Sequence, residues 1–152
     1  MSKPRKGVIA SLAGFPAPGS EPIKGWEDFL REGKQFLATA NNAYAQRKEA
    51  FTTAILYNLV AMAIEKLIMA LLMKSGKLPY NHTMHDLVAA IDEFLPGELA
   101  ELGEELKGLD GFQEICDLEG YSISPPTMEQ IGGMLTLALE VQARVMNSVI
   151  DR

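Results

Sequence analysis

The sequence predicts an all-α fold, an up-and-down bundle of four to five helices with short connections. Three observations carry that expectation. Apolar residues recur at three- and four-residue spacing through most of the chain. No segment shows the strict alternation of a half-buried strand. Proline and glycine punctuate most gaps between the periodic stretches. The 152 residues, 47% of them hydrophobic and 22% charged, suffice for one domain with a sizeable core. Residues 1–21 read as an arm rich in Gly, Pro and Ser, and residues 22–152 as the bundle.

The first helix is expected from about Pro22 to Arg47, because proline suits a first turn. Trp26, Phe29, Leu30, Gly33, Phe36, Leu37, Ala40 and Tyr44 form its apolar stripe. Gly33 and Ala40 leave room for another backbone to approach. The second helix is expected over Lys48–Lys74, stopped by Ser75-Gly76 with Pro79 beyond. The third opens near Thr83, with Asp86 placed to complete its cap, and closes at Pro96-Gly97. The fourth carries two stripes, one from Leu99 to Leu106 and one from Phe112 to Leu118, separated at Gly108 and Gly111. The fifth is expected over Thr127–Ile150 with Thr127 as its cap. Met134, Ala138, Val141, Val145 and Val149 mark its core side.

The second helix is the unusual element. Ala54–Met73 is apolar on almost every face and therefore predicted to be buried, yet Glu65 and Lys66 stand at its centre. Buried charges need partners. Adjacent side chains on a helix point about 100° apart, so these two do not satisfy each other. One expectation is that Asp86 pairs with Lys66 across the turn between helices 2 and 3, with His85 beside them. The two central charges and Asn58 also favour a core helix over a membrane span of similar length.

The net charge is −6, from 14 bases and 20 acids. Ten of those acids lie between Asp92 and Glu119, where Lys107 is the one base. That run reads as a solvated face. Broad duplex DNA binding, which rests on basic clusters, is not expected. The single cysteine, Cys116, reads as a small buried hydrophobe in a reducing compartment. The basic, apolar start of the arm is too short and too proline-broken for a good secretory signal, so a cytoplasmic protein is expected.

Several residues then bring a family into view. Ala63-Ile-Glu-Lys-Leu-Ile-Met-Ala-Leu-Leu72 is followed by Gly76, Pro79 and Met84-His-Asp-Leu87. In order and spacing this run resembles the HEPN domain (higher eukaryotes and prokaryotes nucleotide-binding) over residues 59–92. Tyr121 before Pro125 is similar to the Tyr-x-Pro region that precedes the family's last helix, without the usual Arg-Tyr-Pro form. The resemblance implies a HEPN-like bundle, often a homodimer, in a family of ribonuclease toxins, partners of nucleotidyltransferases and non-catalytic nucleotide- or RNA-associated modules. Its nuclease members place a His four to six residues after a late Arg. Here Arg144 is followed by no His, so no catalytic residue is carried over.

The resulting expectation is a non-catalytic HEPN-like module, a homodimer, that binds a nucleotide, RNA or a partner protein through a polar seam between helices 2 and 3. Its candidate ligand-binding residues are Glu65, Lys66, His85, Asp86, Tyr121 and Arg144, the last as a phosphate contact. Two alternatives stand beside it. One is a divergent ribonuclease that uses His85 as its acid–base group. The other is a purely protein-interaction subunit of a toxin–antitoxin or nucleotidyltransferase pair. No cofactor or metal is expected: His82 and His85 have ligand-like spacing, but further ligands would be needed. No nucleophile elbow or phosphate-binding glycine loop is present in the sequence.

Overall fold

A computed structural model describes residues 21–116 and 125–151. The described residues are all-helical, with no strand among them. They form α1 (Trp26–Ala45), α2 (Thr53–Lys74), α3 (Met84–Phe94), α4 (Gly103–Gly108), a 3-10 segment (Leu109–Cys116) and α5 (Met128–Asp151). The expectations for the arm, for Tyr121 and for the side chain of Cys116 fall outside the described residues.

α2 is the core helix, packed by α1, α3 and α5. Ala63, Ile64, Leu67, Ile68, Ala70 and Leu72 have no exposed surface. Each large apolar side chain buried in this way contributes roughly 1.5–3 kcal/mol. By length and composition α2 could cross a membrane, but most of that stretch is buried inside the molecule. α1 approaches α2 most closely at Gly33, where a Cβ would lie 2.9 Å from Leu67 Cγ and 3.2 Å from the Ala63 carbonyl oxygen. The α5 core side is as expected, with Met134, Ala138, Val141 and Val145 buried. Gly132 makes room for the Tyr44 hydroxyl, and Gly133 faces open space.

Local chemistry sets the ends. Thr83 caps α3 by accepting the Asp86 amide at 3.1 Å. Thr127 accepts the Gln130 amide at 3.1 Å, while Gln130 Oε1 accepts the Thr127 amide at 2.8 Å, a reciprocal box. α2 ends with Gly76 at φ +77 and two closing bonds, Gly76 N–H to the Met73 carbonyl and Lys77 N–H to the Leu72 carbonyl.

Two starts differ from expectation. α1 begins at Trp26, after Gly25 at φ +99, because Ile23 is drawn away to donate its N–H to the Met73 carbonyl at 2.7 Å. α2 begins at Thr53, because the Thr52 hydroxyl accepts the Ile55 amide at 3.2 Å. The acidic run is exposed at Asp92, Glu93, Glu101, Glu104 and Glu105, as a solvated face should be. Glu98 and Asp110 are only partly exposed.

Candidate functional site

The two central charges of α2 are partly buried rather than sealed, and they part company. Glu65 (side chain 33% exposed) faces the segment before α3, where its Oε2 lies 2.5 Å from His82 Nδ1. Lys66 (24% exposed) faces α1. Its Nζ lies 2.9 Å from Glu32 Oε1 and 4.7 Å from the centre of the Phe29 ring. The expected Asp86–Lys66 pair does not form. The 100° offset between positions 65 and 66 turns the lysine toward α1 instead. Asp86 stays local, and its carboxylate accepts the Thr83 hydroxyl at 3.1 Å.

His85 has a partner that the sequence did not signal. Asp110, on the 3-10 segment, lies with Oδ2 2.6 Å from His85 Nδ1. The same carboxylate accepts the amides of Met84 at 2.9 Å and His85 at 3.0 Å. It thereby satisfies two N–H groups in the first turn of α3 from a distant part of the chain. Burial pushes the Asp110 carboxyl up, but the bonds from the His85 ring and the two amides outweigh it. The net result holds Asp110 below the usual aspartate value. Asp110 sits in a run of ten acids, and nothing in its immediate sequence distinguishes it from the solvated ones.

Arg144 is engaged elsewhere, with Glu140 at 3.0 Å and Glu101 at 3.4 Å. The hydrogen bond that Arg144 donates to Glu140 leads the effects that hold its guanidinium above the usual arginine value. The six candidate residues therefore do not converge. Each of the five described ones has its own partner, His82 for Glu65, Glu32 for Lys66, Asp110 for His85, Thr83 for Asp86 and Glu140 with Glu101 for Arg144, and Tyr121 is outside the described residues.

One setting is an open groove of about 470 Å³ along α2, lined by Tyr57, Asn58, Ala61, Met62, Glu65, His82 and Met84. Its floor is firm. Tyr57 is buried, donates its hydroxyl to the Leu109 carbonyl at 2.8 Å and packs its ring 5.7 Å from that of Phe112. Its rim is open at Met62, which is 40% exposed. A smaller groove of about 240 Å³ runs on the other side of the turn, where Asp86 meets Leu78, Tyr80 and Phe94. Neither groove is lined by arginine or lysine. In the sequence His82 stands out only by its ligand-like spacing to His85, and Met62 falls within the apolar stretch Ala54–Met73 expected to be buried.

No three His, Cys, Asp or Glu side chains converge to hold a metal among the described residues. His82 and His85 take separate carboxylates, Glu65 and Asp110. No family model, curated protein or solved structure matches the chain.

Proposed function

We propose that the chain is a non-catalytic binding module, an up-and-down HEPN-like bundle that holds a segment of a partner protein in the α2 groove. The observation that supports this reading most is the character of that groove. It is apolar at Met62, Ala61 and Met84, polar at Asn58, and carries the carboxylate of Glu65 without a lysine or arginine to meet a phosphate. A nucleotide or RNA backbone needs cationic partners, whereas a helix or strand with apolar residues and one base suits this lining. Methionine adds adaptable contact area. The homodimer that the HEPN resemblance implies belongs to the same proposal, as does a cytoplasmic location.

Arg144 is neutralised by two glutamates, which weakens its candidacy as a phosphate contact. The ribonuclease alternative fares no better. His85 Nδ1 is taken by Asp110 at 2.6 Å, and Arg144, the candidate phosphate contact, is paired with Glu140 and Glu101.

The test compares ligands. Peptides selected by display on the immobilised protein are expected to bind and to carry apolar residues with a lysine or arginine. ATP and a short single-stranded RNA are expected to give no signal at millimolar concentration. Saturable RNA or nucleotide binding, with no peptide selected, overturns the reading. Sedimentation gives the second half: twice the 16.6 kDa of the chain is expected.

A further inference from the structure

The smaller groove, of about 240 Å³, carries a chemistry that the α2 groove lacks. Asp86 and Glu93 stand seven positions apart on α3. They therefore share one side of that helix, about 10 Å apart along its axis. Between them Ala89 and Ala90 present only methyl groups, which leaves a trough along the helix. Leu78 and Tyr80 line it from the preceding turn. Tyr80 is 94% exposed and Leu78 56%, so two large apolar side chains stand in water beside the trough. The turn that carries them is fixed at its start: Gly76 and Lys77 donate their N–H groups to the Met73 and Leu72 carbonyls, each at 2.9 Å, and Pro79 has little freedom in φ. A tyrosine on such a turn costs little to order and makes a good interface anchor.

The charges of the groove call for a basic occupant. Glu93 is exposed and has no partner among the described residues. Asp86 accepts the Thr83 hydroxyl through Oδ2, and no base among the described residues reaches its carboxylate. Lys77 does not line the groove, because its ammonium lies over the Phe94 ring, 5.1 Å from the centre. The net charge of −6 adds a longer-range attraction for cations, and the two carboxylates repel a phosphate backbone. The spacing suits an extended chain. In a polyproline II segment every third residue returns to the same side after about 9 Å, close to the separation of the two carboxylates.

We propose that this groove is a second docking surface, which takes an extended basic segment of a partner protein. Arginine or lysine at positions i and i+3 of the segment meets Asp86 and Glu93, and the residues between them pack on Ala89, Ala90 and the Tyr80 ring. The surface lies on the α3 side of the turn and does not depend on the α2 groove.

The test titrates the full chain at low salt with the capped peptide Ala-Arg-Pro-Leu-Arg-Ala, followed by backbone amide NMR shifts. Saturable binding at submillimolar peptide is expected, with the shifts centred on α3 and the turn before it. Replacing both arginines by glutamate should abolish binding, and placing them side by side should weaken it at least threefold. Tyr80→Ala and Glu93→Gln, both at exposed positions, should each weaken it at least threefold, while Met62→Glu leaves it unchanged. No saturation at millimolar peptide overturns the proposal, as does unchanged affinity in both Tyr80→Ala and Glu93→Gln. Spermidine binding as tight as the peptide also overturns it, assigning the groove to a free polyamine. A loss confined to Met62→Glu puts the peptide in the α2 groove, which sinks this proposal and leaves the first reading standing.

Discussion

Asp110 closes on His85 at 2.6 Å and, with the same carboxylate, takes the amides of Met84 and His85. One acid from the 3-10 segment thus fixes the imidazole and caps the first turn of α3, which flanks the groove. Two linked consequences follow, one in stability and one in pH dependence. Asp110→Ala is expected to destabilise the fold by about 1–2 kcal/mol at pH 7, the range for a lost helix cap. The folded-state carboxyl lies below its unfolded value, so its contribution is complete above about pH 5 and fades as the pH falls toward the lower folded value. Urea unfolding of wild type and variant at pH 7 and pH 3 checks this, and the gap between them should shrink at pH 3.

The partner of Lys66 can be read by double-mutant cycles. Glu32→Ala with Lys66→Ala should show a coupling of about 0.5–1 kcal/mol, as for partly exposed pairs. Asp86→Ala with Lys66→Ala should be additive within about 0.3 kcal/mol.

Glycine substitutions separate close packing from propensity. Gly33→Ala places a methyl 2.9 Å from Leu67 Cγ and 3.2 Å from backbone. Overpacking of about 1–3 kcal/mol outweighs the gain of about 0.5–1 kcal/mol from replacing a helical glycine. Gly133→Ala meets nothing within 4 Å and should stabilise by that smaller amount. Thermal melts of the two variants should move in opposite directions.

Gly76→Ala tests the stop of α2. At φ +77 a Cβ is strained, and about 1–2 kcal/mol should be lost. Chemical denaturation reads it directly. An unchanged midpoint would mean the turn can relax.

The sequence disclosed what is local. Thr83 and Thr127 announced their helix starts and Gly76 its stop, because caps depend on residues within one turn. The burial of α2 was legible from an apolar surface that no solvated helix could carry. Glu65 and Lys66 were rightly seen to need partners outside their helix. Which partners they found was not legible, since Glu32 and His82 are brought to them by packing, and no spacing rule connects positions 32 and 66. Asp110 was hidden among surface acids for the same reason. Met62 lies in the stretch expected to be buried, and composition gives no sign that one side of the apolar helix stays open.

The most direct test of the central claim, that the open side of α2 is a binding surface, is the affinity of a display-selected peptide for Met62→Glu. Ile150→Glu, at another exposed apolar position, serves as the control. A loss of tenfold or more at Met62, with the control unchanged, is the predicted result. Equal affinity of wild type and Met62→Glu, with both folded, would contradict it.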